Sequence, residues 1–155
     1  MSGIVAIVNF DGAPVDPEVL RKMAEQCAYR GPDGIRYWIR GNVGLAHLAL
    51  HATPEALREL QPQLSEDGTL CLTADVRVDN RPELINLLNA KGTPLPADAT
   101  DADLLLAAYR TWSDLGMPRA GGLHLTVCKA ASAIPAGTVI RRRDSVFVWS
   151  LPGQA

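Results

Sequence analysis

The feature that most constrains this chain is its opening stretch, Met1-Ser2-Gly3-Ile4-Val5, which runs directly into the apolar segment Ile4-Val5-Ala6-Ile7-Val8. A short apolar run rich in β-branched residues reads as a buried strand, here over residues 3–9. A strand that begins at once predicts neither a signal sequence nor a disordered leader. It also puts residue 2 at a strand end, with a glycine behind it. If Met1 is removed, Ser2 carries a hydroxyl and a free α-amine on one residue. An α-amine with a pKa of about 7.7–8.0 is able to act as base for its own side chain, which makes the pair a catalytic device. The alternative is that Ser2 merely begins an ordinary strand.

The rest of the chain favours one folded domain. Its 155 residues, 47% hydrophobic and 21% charged, suffice for a sizeable core. The net charge of −2, with mixed signs, offers no basic surface for nucleic acid. No apolar run approaches the ~20 residues needed to cross a membrane, so no membrane partner is expected. Cys27, Cys71 and Cys128 are odd in number and lack metal-ligand spacing. They read as reduced, mostly buried thiols of a cytoplasmic protein.

Asp11-Gly12-Ala13-Pro14 is turn chemistry, and Asp16-Pro17 starts a helix as N-cap and first helical residue. Val19, Leu20, Met23, Cys27 and Ala28 fall on its inner face, with Arg21 and Lys22 opposite. Arg30-Gly31-Pro32-Asp33-Gly34 ends that helix in a shaped loop, whose leading arginine is suited to bind a carboxylate or to brace the loop. Strands follow at residues 35–39 and 43–50, joined by a Gly41-Asn42 hairpin turn. In the second, Val43, Leu45, His47 and Ala49 share one face, and Gly44, Ala46, Leu48 and Leu50 the other. His47 and His51 invite a metal or catalytic reading, against which stands the simpler one of hydrogen-bonded residues at a strand end.

Residues 54–64 have room for a short helical turn, and Asp67-Gly68 makes another turn. Residues 70–78 read as a strand, with Thr73, Asp75 and Arg77 on one face. Asn80 is placed to cap a helix through Leu88, with Pro82 in its first turn and Lys91-Gly92 closing it. Thr100 and Asp103 form a capping box ahead of a helix over 101–112, with Leu104, Leu105, Ala108 and Trp112 inside. Residues 113–122 lack a period. Strands are expected near 123–128, 138–142 and 145–149, and Arg141-Arg142-Arg143 reads as a solvated turn. Strands with helices inserted as a group predict an α+β layered fold.

The order of these pieces resembles the N-terminal glutaminase domain of the asparagine synthetase family, the class II glutamine amidotransferases. The resemblance rests on Met1-Ser2-Gly3-Ile4, Arg30-Gly31-Pro32-Asp33-Gly34, Gly44-Leu45-Ala46-His47, Asp79-Asn80-Arg81-Pro82-Glu83-Leu84 and Thr100-Asp101. It covers residues 1–112, leaving 113–155 as a divergent strand-rich tail. It implies the N-terminal-nucleophile hydrolase fold, stacked antiparallel sheets between flanking helices, with the nucleophile at the end of a central first strand and facing the loop of residues 30–34.

The resemblance also assigns roles. The family nucleophile is a cysteine, where this chain has Ser2. The family arginine that grips the glutamine carboxylate falls at Ala49. The Asn-Gly pair that binds substrate and oxyanion falls at Asp75 and Val76. The acidic residue that holds the substrate amino group is matched by Asp101. A serine hydroxyl is a far poorer nucleophile near neutral pH than a thiol of pKa about 8.5. Losing an oxyanion donor costs on the order of 10²–10³ in rate, and an aspartate there adds negative charge where an oxyanion would develop. Losing the arginine removes a bidentate contact. The pattern is similar to the degenerate glutaminase domains of β-lactam synthetases and lasso-peptide cyclases, which use no ammonia.

Beyond Trp112 the Gly-Asp-Phe-Ala-Phe type strand pair of the family is missing, and Ile134-Pro135-Ala136-Gly137 with Trp149 only weakly matches its exit segment, so the C-terminal part is expected to be incomplete or altered. The ATP-pyrophosphatase loop of the family's second domain is absent, so ATP and Mg are expected only in a separate synthetase domain or protein. Three functions stay open: a glutaminase domain with impaired hydrolysis of glutamine, a non-catalytic module supporting an ATP-dependent synthetase or cyclase, and a serine-dependent N-terminal-nucleophile amidohydrolase.

Overall fold

The computed structural model of the chain describes residues 2–112 except Glu55, Thr69, Val76, Arg77, Asn80 and Ala97, together with the backbone of residues 125–129 and 146–150. Strand β1 (Gly3–Val8) is followed by helix α1 (Pro17–Gln26), then β2 (Ile35–Arg40) and β3 (Val43–Leu48). Next come β4 (Gln63–Leu64), β5 (Leu70–Ala74), α2 (Arg81–Ala90), α3 (Asp101–Trp112), β6 (Leu125–Lys129) and β7 (Val146–Ser150). Single 3-10 turns lie at Ala28–Arg30 and Ala56–Arg58. The expected cap on the second helix at Asn80, the strand near 138–142, the loop at 113–122, the arginine run and Arg77 lie outside the described residues.

The first sheet has the order β1-β3-β2, antiparallel throughout, with Gly3 opposite Leu48 and Ile35 opposite the same residue from the other side. The middle strand among those described is therefore β3 rather than the expected β1. Every residue of β3 is buried, because both of its faces are covered. Gly44, Ala46 and Leu48 meet α1, while Val43 and Leu45 pack with Cys71 of the second sheet. That division is the alternation read from the sequence.

Helix α1 starts where expected. The Asp16 carboxylate accepts the Glu18 N–H at 2.8 Å, with Pro17 at the first position. Its buried stripe is narrower than expected: Leu20 and Ala24 are buried, but Val19 and Met23 remain 47% and 43% exposed. The reason is the close seat at Gly44. A Cβ there would lie 2.9 Å from Val15 Cγ1 and 3.1 Å from Leu20 Cδ2. The helix thus settles on β1 and β3 through one ridge, and its flanks stay in solvent.

The second sheet has the order β4-β5-β7-β6. Its β5 pairs antiparallel with β4 and β7, whereas β6 and β7 run parallel. One face of β5 presents Leu70, Leu72 and Ala74 to Ala102, Leu105, Leu106 and Tyr109 of α3. The opposite side of α3 buries Leu104, Ala107 and Ala108 against Leu84 and Leu88 of α2, and Trp112 packs at its rim. The layers therefore run helix, sheet, sheet, helices, an α+β arrangement. The capping box forms: Asp103 accepts the Thr100 backbone N–H at 2.7 Å, and Thr100 Oγ1 accepts the Asp103 N–H at 3.2 Å. Strand β5 ends at Ala74, short of the expected Val78, because the Ala74 N–H turns to the buried Gln61 side chain instead of continuing a ladder. Among the described residues, no helix is long and apolar enough to cross a membrane.

Candidate functional site

Ser2 lies where the ends of the two sheets meet. Its backbone nitrogen donates to Asp75 Oδ1 at 2.9 Å, and Asp75 directly follows β5. Its hydroxyl oxygen accepts the N–H of Leu50 at 3.1 Å, and Leu50 lies two residues past β3. Ser2 is thus tied to one sheet through its nitrogen and to the other through its oxygen, and it is half-buried.

The loop of residues 30–34 is fastened to the same end of β3. Gly31 sits against Leu48 so closely that a Cβ would lie 2.5 Å from Leu48 Cβ and 2.6 Å from its carbonyl carbon. The Asp33 N–H donates to the Ala49 carbonyl at 3.1 Å, and the Ala49 N–H to the Gly34 carbonyl at 2.8 Å. Asp33 Oδ2 then accepts the His51 N–H at 2.7 Å. Gly34 turns the chain with a φ of 128°, a conformation that L side chains rarely adopt. Pro32 is exposed on the outer side. Arg30 is half-buried and borders Gly3, whose added Cβ would meet Arg30 Cβ at 3.2 Å. The loop is thus bonded to Ala49 and the Ser2 hydroxyl to Leu50, the two residues that directly follow Leu48 at the end of β3. Ala49 takes part through its backbone alone, since a methyl group has nothing to offer a carboxylate.

His47 projects from β3 between the sheets, where Nδ1 lies 3.3 Å from Thr73 Oγ1 of β5. Burial, and then the charge of His51, lowers its pKa to about 4, so the ring is neutral at pH 7. It behaves as a polar strut between two sheets, the simpler of the two readings. Burial likewise pushes the neighbouring Cys71 thiol up to about 12, which leaves it inert at pH 7. Among the described residues, no group of three or more His, Cys, Asp or Glu side chains is placed to hold a metal ion.

Asp101, the first residue of α3, is already engaged. Its Oδ2 accepts the Val78 N–H at 3.0 Å, and its Oδ1 is paired with the Arg81 guanidinium, which also donates to the Ala99 carbonyl at 2.5 Å. Asp75 thus binds the Ser2 nitrogen, and Val78, three residues later in the chain, binds the Asp101 carboxylate. Val76 falls inside this segment and outside the described residues. Beside Asp101, Glu59 accepts the Ala102 N–H at 2.8 Å. Its pKa is raised, chiefly by burial, and the Ala102 bond opposes the shift.

Sequence reasoning missed three bonds of the site: the Leu50 N–H on the Ser2 hydroxyl, the Gln61 side chain that ends β5, and Arg81 on Asp101. All three join residues far apart in the chain. Of the three residues, Arg81 alone carried a signal, as a cation in the motif that opens α2.

Residues 1–132 match a family described as the glutamine amidotransferase domain. Over 88 residues, 54% of this chain, the sequence is 34% identical to asparagine synthetase (glutamine-hydrolyzing) 2 of Bacillus subtilis (strain 168). The chain spans 12% of the length of that relative.

Proposed function

The chain belongs to the glutamine amidotransferase domain family, and on that premise we propose that it is a glutaminase domain of asparagine-synthetase type whose hydrolysis of glutamine is impaired or lost. In this reading the fold is of the N-terminal-nucleophile type, supported by the helix-sheet-sheet-helix layering and by Ser2 at the junction of the sheets. Residues 1–112 form the glutaminase-like unit and 113–155 a divergent tail. Ser2 holds the place of the nucleophile, Asp101 that of the amino-group acceptor, and Ala49, Asp75 and Val76 those of the remaining substrate contacts.

The observation that carries the reading is the Asp75 carboxylate 2.9 Å from the Ser2 nitrogen. Acyl transfer at Ser2 would put negative charge on an oxygen at this site, and catalysis there needs donors aimed at that charge. A carboxylate in the donor's place raises the barrier instead. Ser2 also lacks the thiolate fraction that a cysteine would supply, and Ala49 offers no cation for the α-carboxylate of glutamine.

A second reading is favoured by Arg81. Its guanidinium supplies to Asp101 the cation that a substrate ammonium would otherwise provide. A site whose anchors are filled by the chain itself suits a non-catalytic module that supports an ATP-pyrophosphatase synthetase or a cyclase. Any ATP and Mg would belong to that partner, and both would work in the cytoplasm.

The test is ammonia release from glutamine by the purified chain, with removal of Met1 checked by mass. Release is expected to be undetectable or very slow. Robust release that Ser2→Ala abolishes would overturn the reading and identify a working serine amidohydrolase.

A further inference from the structure

We propose that Asp75 is a positioning residue that, in the chain beginning at Ser2, holds the α-amine as a fixed ammonium and so withdraws it from use as a base. The proposal rests on the reading of Ser2 as the nucleophile position. It starts from the 2.9 Å contact between the Ser2 nitrogen and Asp75 Oδ1. In the unprocessed chain this nitrogen is an amide. Once Met1 is gone it is the α-amine, and the same contact joins an ammonium to a carboxylate.

The surroundings fix both partners. Gly3 begins β1 in register with Leu48, and Gly3 is pressed between Leu48 and Arg30, so the nitrogen one residue earlier has little room to turn away. Asp75 directly follows Ala74, whose N–H is taken by the buried Gln61, and lies three residues before Val78, whose N–H is taken by Asp101. Among the described residues, the charged groups near Ser2 include Arg30, beside Gly3, and the pair Asp33 and His51, which follows Leu50. His47, opposite Ile4, is neutral at pH 7. Asp75 is the one among these with a direct bond to the nitrogen.

An N-terminal amine serves as base by taking the hydroxyl proton of its own residue onto its lone pair while the oxygen attacks. An ammonium has no lone pair to take it. An opposite charge at hydrogen-bond distance favours the charged form, commonly by one to three pH units in titration midpoint. Because Ser2 is half-buried, the lower end applies, about one unit above the usual range of about 7.7–8.0. The sign follows for stability. The pair contributes at pH values below the unfolded amine's pKa and is lost as pH rises through the folded one.

The test uses the full chain released at Ser2 from a cleavable N-terminal fusion. The rate of N-terminal acylation is followed against pH by mass spectrometry of the first peptide. The wild-type midpoint is expected about one unit above the usual range, and Asp75→Asn, which keeps the oxygen acceptor but not the charge, is expected to return it there. A wild-type midpoint in the usual range overturns the proposal, and that measurement needs no variant to fold. A raised midpoint that Asp75→Asn leaves unmoved overturns it equally. Glutamine hydrolysis is read separately by ammonia release, so a failed glutaminase reading is distinguishable from a failed clamp.

Discussion

Gly31→Ala should be the most damaging small substitution in the loop, and its cost follows from the structure. The added Cβ would lie 2.5, 2.6 and 2.7 Å from the Cβ, carbonyl carbon and Cα of Leu48. Carbon atoms in contact ordinarily keep about 3.5–4.0 Å, so loop and strand must part by about 1 Å. Two of the three atoms are backbone, and Leu48 is the pairing partner of both Gly3 and Ile35, so the strand is held from both sides. Parting by that much stretches the Asp33–Ala49 and Ala49–Gly34 bonds beyond useful geometry. Overpacking costs about 1–3 kcal/mol and each lost hydrogen bond about 1 kcal/mol. A destabilisation of about 3 kcal/mol results, or roughly 6–12 °C in Tm for a chain of this size. Gly34→Ala is the control. Nothing lies within 4 Å of its Cβ, and its cost comes only from a φ of 128°, about 1–2 kcal/mol. Urea titration followed by circular dichroism gives both values. A Gly31→Ala protein within about 0.5 kcal/mol of wild type, or less affected than Gly34→Ala, would refute the reasoning.

Other outcomes follow from the same contacts. His47 is depressed to about 4 from an ordinary value of 6.5, so the unfolded chain binds more protons between those limits. Stability should be complete above about pH 6.5 and fall by roughly one proton's slope toward pH 4, and His47→Gln should flatten that part of a stability-against-pH profile. Thr100→Ala removes the hydroxyl that accepts the Asp103 N–H and should cost about 1 kcal/mol in urea denaturation with an unchanged m-value. Ser2→Cys alone should not bring glutamine hydrolysis to a family-like rate, while joining it to Ala49→Arg, Asp75→Asn and Val76→Gly should gain more than the sum of the single changes, as ammonia release would show. Brisk turnover from Ser2→Cys alone would mean that substrate grip and oxyanion stabilisation come from elsewhere.

The elements with their own local signals are legible in the sequence. Asp16-Pro17 set the start of α1, Thr100 and Asp103 that of α3, and period-two alternation sorted Val43 to Leu48 onto two faces. In each case the signal and its partner lie within a few residues, so chain chemistry is enough to decide. The order of motifs pointed to the glutamine amidotransferase family for the same reason, since it is a property of sequence alone. What the sequence misjudged were matters of contact between distant segments. Val19 and Met23 lie on an apolar stripe, but the close approach at Gly44 decides how much of that stripe is covered. The alternation continues past Ala74, but a glutamine thirteen residues earlier takes its N–H and ends β5. Asp75 stands 73 positions from Ser2 and Arg81 stands 20 from Asp101, yet these are the bonds that define the site. The sequence determined which residues could carry charge and where each element begins. Only the tertiary packing decided which charged groups meet which partners, because such a bond depends on distance in space and leaves no trace in local periodicity.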